Sequence, residues 1–207
     1  MSRVLFVVVV SLAFLAAAPS LLLAGQPRTH DRLFLRLSGG GGVAKPSISD
    51  PTGDLDLSGG SGDLNFALGG IVAPNLAVHA TMWGWLLSDP DADLVIPGVG
   101  SGSGKISGDV DMTAYGVGLT YYFMPVNIYL SGSVGAGTIE FDSSDLGNFT
   151  TDYGVVLDLS LGKEWWVGNS WGLGFNGGFN YHSIPDKQID ANWTGTSVAL
   201  RFSATFN

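Results

Sequence analysis

The last stretch of the chain, residues 197–206, reads S-V-A-L-R-F-S-A-T-F and alternates without a break. Val198, Leu200, Phe202, Ala204 and Phe206 fall on one face of an extended segment, and Ser197, Ala199, Arg201, Ser203 and Thr205 fall on the other. A period of two is the strand period. A wholly apolar strand face has to be covered by something. No segment after residue 25 has the 3.6-residue period of a helix that would cover it; the same alternation recurs instead.

Leu33, Leu35 and Leu37 alternate with Arg32, Phe34, Arg36 and Ser38; Leu64, Phe66, Leu68 and Val72 alternate with Asp63, Asn65, Ala67 and Gly69. Leu76, Val78, Ala80, Met82 and Leu86 oppose Ala77, His79, Thr81, Trp83 and Trp85. Further runs begin near Ala114, Ile128, Asp152 and Trp171, which with the last stretch makes eight strands. Short turns are expected at Ala73-Pro74-Asn75, at Met124 to Asn127 and at Gly168-Asn169-Ser170. Between them lie four longer polar segments, 43–62, 88–110, 141–150 and 183–192, expected to be loops.

The chemistry of the two faces decides what surrounds these strands. One face is Leu, Val, Phe and Tyr; the other is Gly, Ser, Ala, Thr and Asn with a few charges. A soluble barrel puts its bulky apolar residues inside, whereas an eight-stranded barrel has room inside only for side chains, which suits the small and polar set. Only 13% of residues are charged and 31 of the 207 are Gly, against about 25% and about 7% in ordinary domains, so part of the surface is expected outside water. In hydrocarbon every backbone N–H and C=O must be paired, and closing the sheet pairs them all. The fold class predicted is all-β: a closed antiparallel eight-stranded up-and-down transmembrane β-barrel. Trp165, Trp166 and Trp171, with Tyr121, Tyr122 and Phe123, flank short turns and are expected to form an aromatic girdle at one interface.

The chain starts with Arg3, an apolar centre and small residues ending at Ala24 and Gly25. That is the form of a secretory signal peptide over residues 1–24, preceding a barrel domain at 25–207, with cleavage after Ala24 or Gly25. No Cys occurs anywhere, which removes lipoprotein anchoring, disulfides and thiol chemistry. A net charge of −9 argues against nucleic acid as a partner.

The A-Y-G-V-G-L-T-Y-Y-F run at 114–123, the G-S-V-G-A-G run at 132–137 and the final A-L-R-F-S-A-T-F resemble the small eight-stranded outer-membrane barrels of Gram-negative bacteria, the OmpA-like and OmpW-like group. The likeness spans the mature chain and is one of pattern. It implies residence in the bacterial outer membrane, contact with outer-membrane lipid and lipopolysaccharide, and passage through the barrel-assembly machinery. It also implies that Phe206 is the assembly signal read from the last strand, although Asn207 follows it.

Arg32, Arg36, Asp63, Asp111, Asp152, Asp158, Glu164 and Arg201 are assigned to the lumen, where buried charge demands a partner. Arg36 or Arg201 with Asp158 is the expected central pair. The neighbours His182 and Ser183 point to opposite faces of one strand, so they do not form a nucleophile and base. Asp89, Asp91 and Asp93 have the spacing of an EF-hand's first ligands, but Leu94 and Gly100 stand where Gly and Glu are required; weak divalent-cation binding at the acidic loops is the most they imply. The sequons at Asn148 and Asn192 are incidental in a bacterial chain. No catalytic, metal or cofactor site is expected. The function expected is a structural or surface-interaction barrel without catalysis and monomeric, with a narrow conduit for small or hydrophobic solutes as the alternative and a lipid-modifying hydrolase behind it.

Overall fold

The computed structural model describes residues 30, 33–145, 147–186 and 190–206. The signal-peptide reading, Arg32 and Asn207 lie outside the described residues. The described residues form eleven strands: β1 (Leu33–Asp50), β2 (Gly53–Ala73), β3 (Leu76–Ser88), β4 (Asp91–Ile96), β5 (Gly100–Lys105), β6 (Gly108–Phe123), β7 (Ile128–Ser143), β8 (Gly147–Thr150), β9 (Gly154–Trp166), β10 (Trp171–Asp186) and β11 (Ala191–Phe206). Eight of them form a ring in the order β1-β11-β10-β9-β7-β6-β3-β2, and antiparallel pairing of β2 with β1 closes it. The remaining three extend the wall: β4 pairs with β2 and with β5, and β8 pairs with β7.

The four long loops of the sequence reading are corrected. Residues 43–62 are the upper halves of β1 and β2, paired up to Asp50↔Gly53. The segment 88–110 is the β4–β5 hairpin, an upward continuation of β3 and β6, and 141–150 holds β8. At 183–192, β10 runs on to Asp186 and pairs with Ala191 of β11. The barrel wall therefore rises well above the ~9–11 residues that cross a bilayer. The short turns stand where expected, and Asn75 and Asn127 take the left-handed backbone that Asn tolerates there.

The extra height explains a change of polarity along the strands. Near the short turns, outward residues are apolar and exposed: Val117, Leu161 and Leu200 are each at least 60% exposed. In water such a continuous apolar wall is not tolerated, so this band faces lipid. Toward the other end the outward residues become Asp54, Asp56, Asp91, Asp93, Asp109, Asp111, Glu140 and Asp142, while the inward ones become Ile48, Leu57, Leu87, Val110, Met112, Ile139, Phe141, Ile184 and Trp193, which pack into one core. Here water lies outside, and the strands adopt the apolar-in, polar-out arrangement of a soluble barrel. Asp111 follows this rule: Val110 and Met112 face inward, so Asp111 lies on the outer wall opposite Glu140, correcting its assignment to the lumen. Outward Tyr115, Tyr153 and Tyr181 mark the upper boundary of the apolar band. On β9 the residues between Tyr153 and Trp165 match the ~9–11 that a tilted strand needs to span.

Candidate functional site

The lumen is filled in three tiers. At the short-turn end, Phe34, Ala67, Ala77, Tyr122 and Tyr129 form a buried cluster. His30 closes this mouth: its ring stacks on Tyr122 with centroids 3.6 Å apart, and Nε2 lies 2.9 Å from Asn127 Oδ1. Asn127, in the β6–β7 turn, also bonds the backbone of Glu164 through its own carbonyl and its side-chain amide, tying that turn to β9.

Above this cluster sit two of the charges named from sequence. Three hydroxyls hold Glu164: Thr205 Oγ1 donates at 2.6 Å, Ser203 Oγ at 3.3 Å and Tyr122 Oη at 3.3 Å. Arg36 donates to Ser131 Oγ at 2.8 Å and its guanidinium lies 4.6 Å from the centre of the Tyr129 ring. That contact supplies the cation–π attraction available to a desolvated guanidinium.

The middle tier crosses the bore. Arg201, on β11, donates from Nε to Asp63 Oδ1 at 2.5 Å and from the second terminal nitrogen to Asp158 Oδ2 at 2.8 Å; Ser160 accepts a further bond. Asp158 also accepts from Asn65 and Ser160. Of the two pairs expected from sequence, Arg201 with Asp158 is the one formed, and Asp63, on β2, is the second carboxylate. Two anions facing one cation in a low-dielectric interior are tolerable only with such added hydrogen bonds. The stagger of the sheet makes the arrangement. Following cross-strand partners from Arg36 through Ala67, Thr81, Gly116, Gly135, Val156, His182 and Gly195 returns to β1 at Pro46 rather than at Arg36. Residues far apart along the strands are thereby brought to one height.

The third tier is the apolar core, led by Trp83, Trp85, Met112, Phe141 and Trp193. Reading 43–62 and 88–110 as loops hides this core. The signal was present in D-L-D-L at 54–57, D-V-D-M at 109–112 and I-E-F-D at 139–142, which alternate with reversed sense. His182 projects into this region 5.7 Å from the Trp85 ring, and neither ring nitrogen has a hydrogen-bond partner among the described residues.

Outside, Tyr121 and Phe123 pack edge to face with centroids 4.9 Å apart, and Trp171 packs on Phe206 at 5.3 Å. Trp165 is exposed beside Lys163. Trp166 and Tyr122 depart from the girdle reading: their neighbours point out, so they point in, Trp166 to within 5.1 Å of the His30 ring. Asp152 lies just ahead of β9, its N–H on the Pro185 carbonyl. Among the described residues no three His, Cys, Asp or Glu side chains converge as metal ligands.

A closed, staggered, eight-stranded barrel with a lipid-facing band and a filled bore defines the class: a small transmembrane β-barrel of the outer-membrane type. No family model matches the chain, and no curated protein matches it. Among solved structures it is similar to Neisserial surface protein A (NspA), at 15% identity over 84% of this chain and 96% of that one, with a TM-score of 0.50. It also matches the outer membrane protein OprG from Pseudomonas aeruginosa, at 14% identity over 88% and 100% with a TM-score of 0.46. At such identities the likeness is one of fold.

Proposed function

We propose that the chain is an integral outer-membrane barrel with a structural or surface-interaction role, closed to solutes and without catalysis. The observation that carries this reading is the Arg201 guanidinium held across the centre of the bore by Asp63 and Asp158, between packed tiers above and below. A conducting path needs a continuous wet column, and moving Arg201 aside leaves two buried carboxylates without their cation. What faces outward at the tall end is an acidic rim, suited to contacts at a surface: lipopolysaccharide bridged by divalent cations, or a basic partner. The barrel acts as a monomer delivered by a leader cleaved after Ala24 or Gly25, and N-terminal sequencing of the membrane-extracted protein reads that cleavage directly.

The decisive measurement is conductance in planar bilayers. The purified barrel gives no discrete current steps, and Arg201→Ala, which vacates the centre, gives at most small ones. Steady unitary steps from the unaltered protein favour the conduit instead. Lipid deacylation that disappears in His182→Ala overturns the non-catalytic reading, since His182 is the imidazole that the described residues place in the upper lumen.

A further inference from the structure

The lipid-facing wall is ridged by Leu, Val and Phe side chains almost everywhere, but on β7, β9, β10 and β11 it is notched. Gly177 faces outward between its cross-strand partners Leu161 and Leu200, and a Cβ built on it meets nothing within 4 Å. Two adjoining depressions share Leu161 and Gly177. One, of about 250 Å³, is walled by Leu130, Leu159 and Phe179; the other, of about 290 Å³, by Phe175, Leu200 and Lys163. Together they form a groove climbing β9 from Lys163 to Leu159. At ~3.3 Å per residue that is roughly 13 Å along the strand, or about 9 Å of depth at a ~45° tilt, which lies within one leaflet of a ~30 Å hydrocarbon core.

The lower end of the groove is charged. Among the described residues, Lys163 is the one charged side chain on the outward wall of the short-turn half; every outward carboxylate stands at the tall end. Its ammonium donates to the Val126 carbonyl at 2.5 Å and lies 5.4 Å from the Trp165 ring centre, which fixes it at interface height within the aromatic girdle. An ammonium has three donors, so two remain for an anion.

We infer that this groove is a specific site for one anionic phospholipid of the leaflet on the short-turn side, an acyl chain lying over Gly177 and the headgroup phosphate on Lys163. The inference rests on the outer-membrane reading above. Apolar chain and phosphate are selected by different ends of the site: the notch lets the chain lie over Gly177 between the flanking Leu161 and Leu200 side chains, and the cation adds attraction for negative headgroups worth about fivefold in affinity per lysine. Elsewhere along the wall lipid contacts are made on a ridged surface and exchange without preference.

Native mass spectrometry of the folded barrel with phosphatidylglycerol or phosphatidylcholine of matched chains tests the site, with the heat-modifiable gel band as the check of folding. The unaltered protein retains a first phosphatidylglycerol more strongly than later ones. Gly177→Phe, whose Cβ has open space and whose ring fills the notch between Leu161 and Leu200, lowers retention of both lipids; Lys163→Gln lowers phosphatidylglycerol by about fivefold and leaves phosphatidylcholine unchanged. Equal retention by all three folded proteins, or a graded series with no favoured first lipid, overturns the site while leaving the membrane reading intact. A dimer abolished by Gly177→Phe overturns it in favour of a second copy in the groove. Loss of the heat-modifiable band in the unaltered protein sinks the membrane reading itself.

Discussion

Arg201 shows how a single side chain organises an interior. It is buried with two carboxylates, so removing the guanidinium leaves two negative charges without compensation, and removing the whole cluster leaves only a packing defect. Arg201→Met is expected to lower stability by about 3–5 kcal/mol, measured by urea unfolding from lipid vesicles. Combining Asp63→Asn, Asp158→Asn and Arg201→Met should recover a large part of that loss. A triple variant as unstable as the sum of its single changes would show that the cluster acts through packing alone. Glu164 teaches the complementary lesson. Among the described residues it makes no ion pair, and three hydroxyls hold it in place.

At the scale of the strand, the controlling fact is that polarity reverses part-way along its length. Val117 on the lipid-facing part of β6 is 61% exposed. Leu119→Arg, midway between Tyr115 at the upper boundary and Phe123 in the girdle, should cost about 2–4 kcal/mol, the range found for a cation near the bilayer midplane. Glu140→Arg, higher on the neighbouring strand, should be neutral or favourable, because it replaces a carboxylate directly opposite Asp111. Comparing both unfolding midpoints with the parent locates the boundary. The tip of the β1–β2 hairpin adds a pH-dependent element. Asp50 accepts from the Thr52 hydroxyl at 2.5 Å, from the Thr52 N–H at 2.7 Å and from the Gly53 N–H at 3.0 Å, and these bonds hold its carboxyl below the ordinary carboxylate range. A depressed pKa stabilises the folded tip above the ordinary carboxylate value, and this is lost as pH falls through the folded one. The protection of the Thr52 and Gly53 amides, read as exchange relative to the intrinsic rate at each pH, should therefore fall in acid, and Asp50→Asn should flatten that dependence.

The same reversal explains what was readable in advance. In the lipid-facing halves each strand announced itself, because one solvent lies outside and a narrow bore lies inside, and Leu64, Val117 and Leu200 all followed one rule. The upper halves obeyed the opposite rule with Ser, Gly, Pro and Asp at outward positions, so 43–62 looked like a loop and Asp111 was put on the wrong face. Trp166 and Tyr122 were misplaced for a simpler reason, since proximity to a turn outweighed parity. The identity of Arg201's partners was half legible. Asp158 shares its neighbourhood through β10, but Asp63 comes from 138 residues earlier and meets Arg201 only through closure and stagger of the whole sheet.

For the molecule as a whole, closure is what the last strand completes. β11 pairs with β10 on one side and β1 on the other, and Phe206 lies opposite both Leu35 and Trp171. Phe206→Ala removes a ring from the girdle and the proposed assembly signal together. Its level in the outer membrane should fall severalfold while purified protein still refolds into vesicles with the same gel shift; equal loss in both settings would assign the residue to stability alone.

The acidic upper wall also bears on the direction of travel. Asp109, Asp111, Glu140 and Asp142 sit on the outer surface of β6 and β7 above the apolar band. To slip backwards the barrel would have to drag them through hydrocarbon, each charge costing about 2.5–3.5 kcal/mol at the bilayer centre. To slip forwards it would have to lift the lipid-facing band into water. The charge pattern thus works as a ratchet: once the rim has emerged, the barrel is fixed in depth and in orientation, and only unfolding lets it leave.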